Sequence, residues 1–544
     1  MSENDSNDQS DRGLRSGLDR RHLLFGLAAT GLGGCGTVPN WELHAEALRL
    51  LAQSEGPDRR PAFIADVAWT RQILWQQVLN LHKVPGADWD ERIEYGQRLL
   101  KAVGGGVLFL PAGEYRLKEE ILLEDRVVLR GEPFRAADAT GVGVPRGTRL
   151  LFPAHRFGRI DEPFDHRDGF RRIRTRESSA SRCGLVDLDL DHGRIEMRCP
   201  RYGPIGSQRL VVGCRLRHAV AIDESLPDLS IGQLRGQRFT DRGRAAVEVD
   251  GLFDVLVAGN SIEPSSGSVV QRGYVLDTRG GEPGRRDVVF DYDNRSGLLV
   301  NFFTAGGERF GRRWNGNRWN RPYSFRRGLL IRDNAVFSTG RPAIGFSGQG
   351  VVCERNSIRF RPGVVRHTVD GRKISLGSST NGNRAIEARG HGWSILNNQF
   401  EVHSNRTEEG DYTLNDGEGI LHEDHANSTV VGARAIGNVG NANISVYRVG
   451  AIDGLEVSGN ELRLARAQRG RPFAIYVSAL RGEHLNSCGG AAVHDNVVES
   501  GGILMRGRDA GENRITDNRC LDVPQELVNE ASAELRGNVG FSVA

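Results

Sequence analysis

The chain has 544 residues, 70 of them glycine, with 72 Lys and Arg against 69 Asp and Glu for a formal net charge of +3. Nearly balanced charge excludes a general polyanion-binding field, and 38% hydrophobic with 26% charged residues excludes a disordered chain. The length is roughly threefold that of a common domain, and glycine at about twice its usual share favours a stack of repeated layers over several unrelated domains. Lysine occurs only at Lys83, Lys101, Lys118 and Lys373, so the cations are almost all arginine, whose planar fork suits bidentate pairing with carboxylates.

Residues 1–18 are polar, and Asp19-Arg20-Arg21-His22-Leu23-Leu24 leads into an apolar run closed by Leu32-Gly33-Gly34-Cys35. That run covers about a dozen residues, too few to span a bilayer and suited to a signal h-region. It resembles a twin-arginine export signal with a lipoprotein box. The resemblance implies export to the periplasm or cell surface and membrane attachment through a lipidated Cys35. The other cysteines, Cys183, Cys199, Cys214, Cys353, Cys488 and Cys520, form no C-x-x-C pair, which argues against a zinc ribbon. An oxidising compartment permits a disulfide among the first three without requiring one.

Over 41–103 apolar residues three and four apart predict a helical prelude. One helix includes Ala47, Leu48, Leu50 and Leu51, and a second Ile73, Leu74, Val78, Leu79 and Leu81. A third runs from Arg92 to Val103, with Asp88 or Asp90 as its cap and Gly104-Gly105-Gly106 as its stop. Strands follow at 107–110 and 127–131. The order helix, glycine run, strand, Pro111-Ala112-Gly113-Glu114-Tyr115, strand ending in Gly131 resembles the opening of the pectate lyase-like right-handed parallel β-helix family, the pectin lyase fold. In that family the helix caps the open end of the solenoid. The expected division is an export signal and tail over 1–40, a helical prelude and cap over 41–103, and an all-β, right-handed parallel β-helix over 104–544.

Internal repetition supports the solenoid independently. Asparagines recur beside apolar residues at Asn260, Asn294, Asn334, Asn356, Asn398, Asn438, Asn460, Asn496, Asn518 and Asn538. Their spacings fall near 20–22, one coil, or near 34–42, a coil with an insertion or two coils. Coils of that shorter length cannot hold the four strands of a propeller blade. Stacked asparagines at a bend would hydrogen-bond between coils, with glycine supplying turns.

Alternate side chains of a strand face outward, so equivalent positions on successive coils form columns. With Ile344, Ile386, Ile420 and Ile444 as an inward row, the outward column is Ser347, Arg389, Glu423 and Tyr447. Gly348, Gly390, Asp424 and Arg448 come next, then Gln349, His391 and His425, while His422 faces inward as a core histidine. Here His391, His425, Tyr447 or Arg448 can move a proton beside a carboxylate, and Arg389 or Arg448 can hold that carboxylate. Glu423 and Asp424 can act as acid and base, or as ligands of calcium, which carboxylate oxygens suit. Gly390-His391-Gly392 resembles an element of polygalacturonase-like hydrolases, but the Asn-Thr-Asp, Asp-Asp and Arg-Ile-Lys elements are absent, which opposes that assignment.

Between coils, Arg313, Trp314, Arg318 and Trp319 lie in a segment suited to walling a groove for an anionic glycan, by ring stacking and guanidinium pairing. Packing of these tryptophans onto the tube is the other reading. Low net charge and export oppose a nucleic-acid partner. The expectation is an exported enzyme modifying a uronate-containing polysaccharide, with lyase ahead of glycoside hydrolase and epimerase behind both. The alternative is a non-catalytic glycan-binding or structural envelope β-helix.

Overall fold

The computed structural model describes residues 40–134, 147–152, 156–157, 172–191, 194–197, 206–218, 221–222, 247–249, 251, 253–264, 266–275, 284–293, 298–300, 328–338, 342–360, 364–369, 372–378, 384–403, 418–423, 429–463, 473–481, 483–522 and 524–544. The export signal, Cys35 and Cys199 lie outside them. Two α-helices, Asn40–Leu51 and Trp89–Ala102, stand at the start. Asp88 caps the second by accepting from the Glu91 amide at 3.0 Å, and Glu91 reciprocates by accepting from the Ala87 amide at 2.9 Å. The predicted helix around Ile73 and Leu81 is instead a 3-10 turn, Ala68–Gln72, followed by the strand Val78–Asn80, which pairs with Gly106–Phe109. In so short a run, apolar spacing does not separate a helix turn from a doubly buried strand.

From there the chain is a parallel β-helix. Among the described residues it lays strands into three sheets of 14, 12 and 13 members. Sheet A runs from Val78–Asn80 to Glu534–Arg536, sheet B from Gly113–Arg116 to Arg519–Cys520, and sheet C from Ile121–Leu123 to Phe541–Val543. The A-to-B corner is two residues in coil after coil, as at Asp187-Leu188, Gly213-Cys214, Asp333-Asn334, Asn397-Asn398 and Asp517-Asn518. Its first residue is always left-handed, with φ between 52° at Arg355 and 66° at Gly437. Asp and Asn tolerate that region, so they alternate there with glycine, as at Asp187, Asp333, Asn397, Asp495 and Asp517 beside Gly213, Gly259, Gly437, Gly459 and Gly537.

The second corner residue builds the expected ladder. Asn398 receives the Asn356 amide and side chain at 2.9 Å each, and donates to Cys353 O and Asn438 Oδ1 at 3.0 Å each. The pattern runs from Asn260 to Asn538, beginning where Asn260 Oδ1 accepts from the Cys214 amide at 2.9 Å. Asn294 lies outside the described residues; Asn260 Nδ2 donates directly to Asn334 Oδ1 at 2.9 Å, so these two are successive rungs, separated by one full coil with its insertions. Cys183, Cys214, Cys353, Cys488 and Cys520 are buried thiols rather than disulfides.

A second apolar cluster lies outside the tube. Ile64, Trp69, Ile73 and Trp75 cover the outer face of sheet A at Val128, Val186, Leu210, Val212, Leu256 and Ala258. The cover ends where Arg332 grips Asp66 with two bonds of 2.6 and 2.7 Å. Beyond that point sheet A presents Glu354, Ser394 and Arg434 outward. With the A-to-B corner held at two residues from Asp187-Leu188 onward and sheet A partly covered, the long excursions after the second coil, whose A-to-B corner spans 131–147, fall on the two corners flanking sheet C.

Candidate functional site

Sheet C carries the predicted register. Ile344 pairs with Ile386, Ile386 with Ile420 and Ile420 with Ile444, all fully or nearly fully buried. Ser347 pairs with Arg389 and Glu423 with Tyr447, so the outward column passes through consecutive coils as expected. His422 faces the core, where its Nδ1 accepts from Trp393 Nε1 at 3.1 Å. Arg389, the backbone of Glu423, and Tyr447 are thus brought onto one face, about 4.8 Å apart per coil. His391 is half-buried at the corner just past Arg389, and exposed Arg448 places its guanidinium 5.5 Å from the Tyr447 ring. The Glu423 side chain, Asp424, His425, Arg313, Trp314, Arg318 and Trp319 lie outside the described residues.

Beside this column, on the same outward face, is an ion network around Glu387. Glu387, only 3% exposed, accepts from Arg384 Nη1 at 2.7 Å and from Arg389 Nη2 and Nε at 2.8 and 3.2 Å. Arg384 Nε also donates to Glu418 Oε2 at 3.1 Å. Burial alone would raise the Glu387 carboxyl, but Arg389 and Arg384 outweigh it and hold the group below its ordinary value. Burial disfavours the Arg384 cation, and Glu387, Glu418 and Tyr447 together more than offset this, raising its guanidinium. Two nitrogens of Arg389 therefore turn toward Glu387 instead of projecting to a ligand. The signal lay two residues earlier, in Glu387, which shares the outward phase of Arg389 on the same strand, with Arg384 three positions before it.

The Gly390-His391-Gly392 element has a conformational cause. Gly392, at φ 60°, stacks with Gly350, Gly432, Gly454 and Gly490, all left-handed, at the C-to-A corner. A Cβ at Gly390 would sit 2.2 Å from Gly348 O. The two glycines are therefore required by the turn, whatever His391 does. Among the described residues, no group of three or more His, Cys, Asp or Glu is placed to hold a metal ion, and no helix is long and apolar enough to cross a membrane.

No protein-family model matches the chain, and no curated protein matches it. Among solved structures it is similar to the A-module of the mannuronan C-5 epimerase AlgE6 of Azotobacter vinelandii, at 12% identity and a TM-score of 0.43, over 86% of this chain and 99% of that one. It is also similar to the catalytic unit of a GH87 α-1,3-glucanase of Streptomyces thermodiastaticus, at 12% identity and a TM-score of 0.36, over 90% and 71%. A third is the DFA-IIIase of Arthrobacter chlorophenolicus, at 13% identity and a TM-score of 0.30, over 86% and 89%.

Proposed function

We propose that the chain is an exported enzyme that modifies a uronate-containing polysaccharide on the outer face of sheet C, by β-elimination ahead of hydrolysis or epimerisation. The observation that carries this is the column of Arg389, Glu423 and Tyr447 on consecutive coils, flanked by the two corners that bear the chain's long excursions. Elimination needs a base for the proton on the carbon bearing the carboxylate, a cation for that carboxylate, and a proton for the departing glycosidic oxygen. Tyr447 and His391 supply proton-carrying groups. Arg448 is the exposed cation, and Arg389, tied to Glu387, lends positive potential from the side. Hydrolysis by paired carboxyl groups needs one of them protonated. Glu387 and Glu418 are instead bound to arginine, which disfavours that role.

Glu423 and Asp424, whose side chains lie outside the described residues, would act as acid and base or would hold a calcium ion. The tryptophan-arginine excursion would form one groove wall. Export and attachment through Cys35 belong to the same proposal, and the mass of the mature amino terminus recovered from membranes tests them. For the reaction, the purified mature chain is incubated with galacturonate, mannuronate and guluronate polymers. Unsaturated ends mark the lyase, reducing ends alone the hydrolase, and a changed epimer ratio the epimerase. Binding to these polymers without chemical change would support the glycan-binding alternative and overturn the enzyme reading.

A further inference from the structure

Just past the ion network, toward the carboxyl-terminal end of the tube, the face of sheet C loses its charge. Strands Asn443–Tyr447 and Phe473–Ser478 lie side by side with Ser445 opposite Tyr476 and Val446 opposite Val477. Asn443, Ser445 and Tyr447 point outward from one and Tyr476 and Ser478 from the other. Tyr447 and Tyr476 meet edge to face with centroids 6.1 Å apart, and Phe473 packs 6.1 Å from Tyr476. Charge returns one coil later, where Arg506 holds Glu530 with bonds of 2.5 and 2.6 Å.

Two buried atoms in this patch are unsatisfied. Asn443 Nδ2 donates to Ser445 Oγ at 3.1 Å, while Asn443 Oδ1 has no hydrogen-bond partner. Ser478, 1% exposed, has none for its hydroxyl. Buried polar atoms are nearly always paired, so such exceptions require a cause. Flipping the Asn443 amide moves the deficit from its oxygen to its nitrogen without removing it. A group that both donates and accepts satisfies Asn443 in either orientation and Ser478 as well. A hydroxyl does this, whereas a carboxylate, an acceptor only, serves Ser478 but leaves Asn443 Oδ1 unpaired in the orientation the structure shows. The two residues lie four positions apart along the strand direction, on the order of 13 Å, so more than one sugar ring is needed to reach both.

We propose that this patch is a subsite for a glycan segment of two rings that turns hydroxyl groups, not carboxylates, to the floor, with a ring face against Tyr476 and carboxylates directed toward exposed Arg448. The inference deepens the uronate reading and rests on it. Its test uses the full mature chain and the variants Asn443→Leu and Ser478→Ala. Calorimetric titration employs tetragalacturonate, tetramannuronate, tetraguluronate and a carboxyl-reduced neutral tetrasaccharide, with a thermal midpoint recorded for each protein. Expected is binding of at least one acidic tetrasaccharide, weakened about tenfold or more by each variant, with a thermal midpoint unchanged or raised because an unpaired polar atom is gone. Equal binding by wild type and variants overturns the subsite, and a lowered midpoint beside it marks the atoms as structural groups completed by water. Binding of the neutral tetrasaccharide alone, lost in the variants, keeps the subsite and ends the uronate reading. No binding by any of the four ends both.

Discussion

Neutralising Glu387 tests whether the column is held from the side by buried electrostatics. In Glu387→Gln the side chain keeps its shape and one acceptor oxygen, so bonds to one arginine survive while an NH2 group confronts the other. Removing one partner of a buried ion pair costs about 3–5 kcal/mol. Two features reduce that figure here: Arg384 keeps Glu418 at 3.1 Å, and the side chains of Arg384 and Arg389 are 15% and 14% exposed, so water reaches part of each. The expected loss is about 2–3 kcal/mol. Its pH dependence has a definite sign. A carboxyl held below its ordinary value of 4.5 contributes stability that is fully present above that value and disappears as pH falls through the lower folded-state value. The difference between wild type and variant should therefore be full at pH 7 and shrink below about pH 4.5. Native-state hydrogen exchange of amides in strand Arg384–Arg389, followed across that range, measures it locally. Equal protection in both proteins at pH 7, or a difference independent of pH, would show that the Glu387 carboxylate does not hold the strand.

The ladder should be strongest inside. Asn398→Ala orphans the Asn356 amide and Cys353 O in a dry interior and should cost about 3–5 kcal/mol. Asn538→Ala removes the partly buried bonds to Asn518 and Ile515 where water can enter, and should cost about 1 kcal/mol. Exchange protection at the neighbouring rungs checks both, and equal losses would contradict a cooperative ladder. Asp187 sits at a buried corner where desolvation raises its carboxyl to about 6, Arg130 opposing. A raised carboxyl stabilises the fold at low pH and loses that benefit as pH rises through the folded-state value. Asp187→Asn should therefore be more stable than wild type at pH 8, by about 1–2 kcal/mol, with the gap closing below about pH 4, as urea denaturation would report.

How much could be read from the sequence depended on period. The Asn-bearing corners have a rigid two-residue length and a fixed left-handed residue before the asparagine, so they stand out across the long excursions. The inward row at Ile344, Ile386, Ile420 and Ile444 then set the phase of sheet C, and with it the outward placing of Arg389, Glu423 and Tyr447. Glu387 was missed because only one of the two outward columns of the strand was followed. Val78–Asn80 was misread because sheet A is apolar on both faces there, and a doubly buried strand shows no alternation. The covering by Ile64, Trp69 and Trp75 was signalled in the same way, by the apolar runs Leu210-Val211-Val212 and Val255–Ala258 whose outward members need a partner. Partner identity across 266 positions, as between Asp66 and Arg332, has no local trace.

Chemistry on a uronate glycan at the outer face of sheet C, as proposed, requires the proton-carrying groups around Tyr447. Turnover of the responsive uronate polymer by wild type, Tyr447→Phe, His391→Gln and Arg448→Gln, each matched for far-ultraviolet circular dichroism and thermal midpoint, tests it most directly. In Tyr447→Phe kcat should fall at least about 100-fold with the fold intact. Wild-type rates in all three variants would contradict that requirement.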